Sequence, residues 1–243
     1  MTAFLESLAV ARGGDGGEAR FFLILAGLML LTALFGATYW WPHRGKPGVR
    51  HVERGGRGFT EVRSRISVFG LLVTMVGCAA ALAIGAAVEV FLFNAGVPAV
   101  SLVLALLGLP CVLFVSEVLF GRIRPGGLLL GPDGIRVRGW TLEAYLPWVS
   151  VAGVRAVHHG FPEIWVEGTP EAAWARRRTS RLFRLDRMPD APRLEVDSRR
   201  YAIDPVLLHR LLEFYALYPE TRAELGTPRA VERVRGPDLA DPR

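Results

Sequence analysis

Cysteine is almost missing. Cys78 and Cys111 are the only two among 243 residues, and both fall inside hydrophobic blocks, which excludes a disulfide framework. Lysine is scarcer still: Lys46 is the only one among 29 basic residues, so the formal charge of +6 rests almost wholly on arginine, whose planar fork suits phosphate oxygens. Catalytic patterns are also lacking. Ser64, Ser150 and Ser180 have no nucleophile-elbow context, and the glycines form no phosphate-binding fingerprint. His158 and His159 are neighbours on an expected strand, so they point to opposite faces, and no cysteine or carboxylate stands at ligand spacing around them. The sequence therefore predicts no enzyme, no cofactor and no metal, and makes nucleic acid a weaker partner than anionic lipid.

What is abundant is apolar sequence. Half of the chain (51%) is hydrophobic, and the excess sits in three blocks between Phe21 and Gly121. The first, 21–41, holds no charge and reaches about 30 Å as a helix, enough to cross the hydrocarbon core, with Tyr39, Trp40 and Trp41 closing it as an interfacial belt. A cleaved leader would carry an apolar core of only about 7–15 residues, so a retained span is expected. The second and third blocks, 66–93 and 97–120, are joined by a short turn around Asn94 and Gly96 and form an antiparallel pair. Pro110 predicts a kink in the third. Glu89 and Glu117 lie near the span ends, where snorkelling or pairing is expected rather than ion conduction.

Orientation follows from the basic residues. Arg44, Lys46, Arg50, Arg54, Arg57, Arg63 and Arg65 in the loop 42–65, with Arg122 and Arg124 after the third span, face only Arg12 and Arg20 on the other side. The expected arrangement is a multi-pass protein of the cell membrane, with segment 1–20 outside, loop 42–65 inside, and a cytoplasmic domain at 122–218. Gly70, Gly77, Ala81 and Gly85 form a small-residue stripe on the second span, a candidate helix–helix contact with neighbours in the same chain or with a second protein.

From Gly127 the pattern changes to short alternating runs at 128–130, 135–140, 143–147, 151–158, 162–167, 193–197 and 200–203, about seven antiparallel strands. One helix closes the domain. Asp204 caps it, Pro205 fits its first position, and Leu207, Leu208, Leu211, Phe214, Tyr215 and Tyr218 form its apolar face. The opening Leu128-Leu-Leu-Gly-Pro-Asp-Gly-Ile-Arg-Val-Arg138, then Tyr145-Leu-Pro-Trp148 with Val151 and Val154, and the Asp204-Pro205 helix resemble the bacterial pleckstrin-homology-like (PH-like) family of membrane-attached proteins over about residues 126–218. That resemblance implies a β-rich PH-like barrel capped by one C-terminal helix, used as a non-enzymatic binding scaffold.

The segment 168–192 is long for a link between strands and carries Trp174, Arg176, Arg177, Arg178, Arg181, Arg184 and Arg187. Thr169 and Pro170 predict a helix start, with Arg177, Arg181 and Arg184 on one face, suited to lie on an anionic leaflet. The tail 219–243 lacks periodicity and is expected to be disordered. Two functions remain open: a PH-like domain binding a protein partner or anionic lipid headgroups at the cytoplasmic membrane face, or an accessory subunit of a transporter or membrane enzyme complex that contacts its partners, or a second copy of itself, through the spans.

Overall fold

The computed structural model describes residues 16–41, 45–93, 98–236 and 239. The N-terminal segment expected outside, up to residue 15, and the interhelical turn 94–97 lie outside the described residues. The chain forms two compact units, one from Met1–Thr38 and Ser67–Gly121, the other from Tyr39–Ile66 and Arg122–Arg243.

The first unit holds α1 (Gly16–Trp40, as far as Thr38), α2 (Ile66–Phe93) and α3 (Pro98–Leu119). All three are long and apolar enough to cross a membrane. Four of their hydroxyls are satisfied within their own helices: Thr32 donates to the Leu28 carbonyl (2.8 Å), Thr74 to Gly70 (2.9 Å), Ser101 to Pro98 (2.9 Å) and Ser116 to Leu113 (2.7 Å). No polar side chain of that set is left facing lipid without a partner. α3 runs on through Pro110. Its Gly108 allows close approach to α2, because a Cβ there would stand 3.0 Å from Ala83 Cβ and Ile84 Cδ1. Glu89 is exposed, whereas Glu117 is buried at 2% exposure, so the two carboxylates are not equivalent.

The second unit is built on β-sheet. Its strands are β1 (Val49–Arg54), β2 (Arg57–Arg63), β3 (Gly127–Gly131), β4 (Gly134–Arg138), β5 (Leu142–Pro147), β6 (Val151–His158), β7 (Pro162–Gly168), β8 (Ala175–Arg178) and β9 (Arg193–Asp197). They form two antiparallel sheets, β1-β2-β3-β4-β5-β8 and β6-β7-β9, and among the described residues no barrel closes. Alternation sets the faces. Leu128 and Leu130 of β3, Ile135 of β4, Leu146 of β5, Ile164 and Val166 of β7, and Leu194 and Val196 of β9 are buried in one core.

Three expectations are corrected. Loop 42–65 is no mere connector, for residues 49–63 supply a hairpin to the larger sheet. Gly55 and Gly56, at φ +60° and +74°, make its turn, and β2 pairs with β3 from Thr60↔Leu130 to Arg63↔Gly127. The run 200–203 is not a strand. Ser198–Arg200 is a 3-10 turn, and only Tyr201 bridges, to Ser64.

The tail is the third correction. α4 (Pro205–Leu217) is capped as expected, with the Asp204 carboxylate accepting from the Val206 and Leu207 amides at 2.9 and 3.3 Å. Its buried face is Leu208, Leu211, Leu212 and Tyr215, while Tyr218 is exposed. The chain then continues through a 3-10 turn (Pro219–Glu224) into α5 (Pro228–Arg235), whose Ala230, Val231 and Val234 join the core beside β1. Glu224 is the anchor, accepting from Tyr215 Oη (2.8 Å) and from the Arg233 guanidinium (2.5 and 2.9 Å). At the crossing with β2, Gly226 has φ +82° and lies so close to Gly58 that a Cβ would overlap its backbone. Residues 237, 238 and 240–243 of the tail lie outside the described residues.

Candidate membrane-surface site

The segment 168–192 forms no helix. β5 would otherwise end the sheet with a row of unpaired amides and carbonyls, and residues 175–178 fill that edge as β8, with Tyr145↔Ala175 and Leu142↔Arg178 in register. Extended backbone then separates consecutive arginines onto opposite faces. Arg177 faces outward and pairs with Glu143 (2.8 Å). Arg176 turns the other way, donates to the Pro189 carbonyl and stacks over Trp174 at 4.8 Å. Trp174 itself packs half-buried on the core, so it is not available to lipid as expected. The inward-turned Arg178 is also half-buried.

Beyond β8 the chain makes a second, separate feature. The Thr179 amide donates to the Thr141 carbonyl (2.9 Å), and the Thr179 hydroxyl to the Arg122 carbonyl (2.7 Å). Ser180 is buried and its Oγ accepts from the Phe183 amide (3.1 Å), a local turn. At the far end the Asp186 carboxylate accepts from Thr141 through its amide (2.5 Å) and hydroxyl (3.0 Å), and it is paired with Arg200. Tied at both ends, the loop displays Arg181, Leu182, Arg184 and Arg187 to solvent, with Leu182 60% exposed at its tip.

Of the seven residues expected to act together, the structure therefore gathers Arg181, Arg184 and Arg187 on one loop. It leaves Arg177 on the outer sheet face, Arg176 exposed but held by Pro189 and the Trp174 ring, and Trp174 and Arg178 half-buried. The small-residue stripe is placed differently from a packed seam. Nothing lies within 4 Å of where a Cβ on Gly70, Gly77 or Gly85 would sit, and Ala81 is exposed.

The aromatic belt is also divided. Trp40 and Trp41 are 62% and 64% exposed, but Tyr39 is drawn into the sheet unit, donating to Asp197 Oδ2 at 2.8 Å. Arg199 lies over the rings of Phe161 (3.6 Å), Tyr39 (4.1 Å) and Trp40 (5.1 Å), and grips Asp197 with two bonds of 2.9 Å. Burial alone would raise the Asp197 pKa, but the Arg199 hydrogen bonds, the charges of Arg200 and Arg199, and the Tyr39 hydroxyl hold it below the usual carboxylate range. These groups line a cleft of about 430 Å³ in which Asp186, Asp197 and Glu195 already pair with Arg200, Arg199 and Arg193. Those three ion pairs occupy its wall together with Arg138, Arg187 and Glu163.

Among the described residues, no cluster of three His, Cys, Asp or Glu could hold a metal ion. His159 stacks on Trp165 at 5.5 Å, and Cys78 and Cys111 are free and half-buried. No protein-family model, curated protein or solved structure matches the chain.

Sequence reasoning missed Asp186, Thr141, Arg199 and the outward arginines of β1 and β4. For the last group a signal existed: Arg50/Arg54 and Arg136/Arg138 keep an even spacing, which puts each pair on one side of a strand.

Proposed function

We propose that this chain is a non-catalytic multi-pass protein of a bacterial cell membrane whose sheet domain rests on the anionic cytoplasmic leaflet and works as a binding scaffold. The observation that carries the reading is the Thr179–Arg122 hydrogen bond. It ties the loop bearing Arg181, Leu182, Arg184 and Arg187 to the chain three residues after α3 ends, where headgroups are within reach. An arginine beside an anionic leaflet contributes about 1 kcal/mol, and burying a leucine side chain fully about 1.5–3 kcal/mol. For a domain already tethered by three crossings, those terms suffice to hold the loop at the surface. The arginine excess of loop 42–65 and the Arg122 flank support cytoplasmic placement. Antiparallel sheets closed by the Asp204-capped helix support a PH-like ancestry for residues 127–217, with β1 and β2 as an added hairpin.

The test uses the full chain in nanodiscs, with Cys78→Ala and Cys111→Ala removing the native thiols and an environment-sensitive dye on Leu182→Cys. Emission should shift to the blue in anionic nanodiscs, less in zwitterionic ones, and the difference should shrink with salt. Identical emission in both lipids would remove the docking reading.

A second reading has its own observation. The open face at Gly70, Gly77, Ala81 and Gly85 fits a helix from another protein or another copy, as in an accessory subunit of a membrane complex. Photocrosslinkers at Ala81 separate the two, since captured membrane partners would favour it.

A further inference from the structure

The outward face of the six-stranded sheet is a second cationic surface, distinct from the loop. Register brings Arg50 opposite Glu61, Glu61 opposite Leu129, Leu129 opposite Arg136, and Arg136 opposite Tyr145. One step along, Gly127, Arg138, Glu143 and Arg177 stand in a row. Two carboxylates serve this face. Glu61 takes Arg50 (2.5 Å) and Arg54 (3.0 Å), while Glu143 takes Arg138 (2.7 Å) and Arg177 (2.8 Å). Arg136 has no carboxylate in that scheme. It lies over the rings of Phe59 (5.7 Å) and Tyr145 (5.2 Å), which hold its fork in place while leaving it exposed. These five guanidiniums share two carboxylates, and Arg57 and Arg63 stand on the same face by register, so the face carries an excess of positive charge.

The face is also hollow. Gly127 and Leu129 leave a groove of about 480 Å³ with Arg54, Arg136, Arg138 and Arg177 among its lining, within the roughly 300–1,000 Å³ of small-ligand sites. Arg138 Nε is buried there without a hydrogen-bond partner among the described residues. Burial lowers the Arg138 pKa, Glu143 opposes this, and the charges of Arg124, Arg177 and Arg54 add to the lowering. A guanidinium that is partly desolvated, with like charges around it, gains from a further anionic partner.

We infer that this groove binds the phosphate of an anionic phospholipid headgroup, held by the forks of Arg54, Arg136 and Arg138. The chemistry follows from arginine, whose paired N–H donors match phosphate oxygens and whose weak hydration lowers the cost of contact. The lipid source follows from chain length. Arg63, which pairs with Gly127 at this end of the sheet, is only three residues before Ile66, and so about 11 Å at most from the start of a membrane-spanning helix. The inference rests on the reading that the domain works at the leaflet, but it uses different residues from the docking loop.

The experiment is a calorimetric titration of the full chain in neutral detergent with dihexanoyl phosphatidic acid, and in parallel with glycerol 3-phosphate. Saturable binding of the lipid is expected, weakened about tenfold or more by Arg54→Gln with Arg136→Gln, weakened less by Arg136→Lys, and changed less than about twofold by Arg181→Gln with Arg184→Gln. Both glutamine positions in the groove pair are exposed, so the fold should persist, and an unchanged melting temperature checks it. Absence of saturable binding, or equal binding by the groove variant, overturns the inference. Glycerol 3-phosphate binding as tightly as the lipid overturns the lipid source. A failed dye shift at Leu182 with the groove titration intact would strike the docking loop and not the groove.

Discussion

The three helices and the sheet domain are assembled under opposite constraints. Each helix satisfies its own backbone, so length and apolarity suffice to specify it, and contacts between helices are added afterwards. The sheet domain is discontinuous: β1 and β2 come from before α2, the other strands from after α3, and its buried polar network draws on residues as far apart as Tyr39, Asp186 and Asp197. One unit is the sum of local decisions, the other of long-range pairings. Substitutions should therefore behave differently in the two units.

The largest effect is expected at Asp197. With side chains only 13% and 8% exposed, Asp197 and Arg199 form a desolvated pair, and removing one partner strands the other. Asp197→Ala should cost about 3–5 kcal/mol of sheet-domain stability. Hydrogen exchange should report faster exchange throughout β7 and β9 with little change in α2 and α3. Equal loosening of both units would break the contrast.

Acid offers a graded version of the same test. Asp197 is held below its ordinary pKa as described, and Glu224 is lowered first by the Arg233 hydrogen bond, against burial, and then by Tyr215 and the Arg233 and Arg229 charges. Carboxyls whose pKa falls on folding stabilise the folded state above their unfolded values of about 3.9 and 4.3, and that contribution disappears as pH drops through the folded values. Sheet-domain stability should hold down to about pH 5 and fall below about pH 4, with helix content of the first unit unchanged by circular dichroism. Asp197→Asn should flatten the decline.

How much was legible divides along the same line. The second and third helices were read to within a residue, because a long apolar run with at most one carboxylate has one solution in lipid, and the first starts five residues earlier than expected. The hairpin of β1 and β2 was hidden by its own arginines: they counted toward orientation, while the Val49, Val62 and Gly55-Gly56 signal beneath them went unused. The helix expected from Thr169 failed because the free edge of β5, invisible to local propensity, recruits residues 175–178 as a strand. Of the candidate site, Arg181, Arg184 and Arg187 were visible as charge. The ties that make them a loop, Thr179 to Arg122 and Thr141 to Asp186, connect positions 45–57 residues apart. The tail was misjudged for a related reason: α5 is stabilised by β1 and Glu224, not by its own composition.

Gly226→Ala sharpens that last point. Both the positive φ and the overlap with Gly58 oppose a side chain, so a cost of about 1–3 kcal/mol is expected, read as a lowered urea midpoint and earlier proteolysis between Leu225 and Arg235. Normal protease resistance would mean that α5 docks without this crossing.

The smallest effects lie in the membrane, where two glycines make a matched pair. Gly108→Ala adds a methyl 3.0 Å from Ala83 Cβ and Ile84 Cδ1, so α2 and α3 must separate by a few tenths of an ångström, at a cost of about 1 kcal/mol. Gly77→Ala adds the same methyl where nothing lies within 4 Å, and thermal unfolding in detergent should be unchanged within about 0.5 kcal/mol. The informative measurement on Gly77 is then association. If the small-residue face seats a helix of another protein or another copy, bulkier Gly77→Leu should abolish crosslinking from Ala81 while leaving the melting curve untouched; loss of stability alone would mean that the face is filled by this chain's own helices.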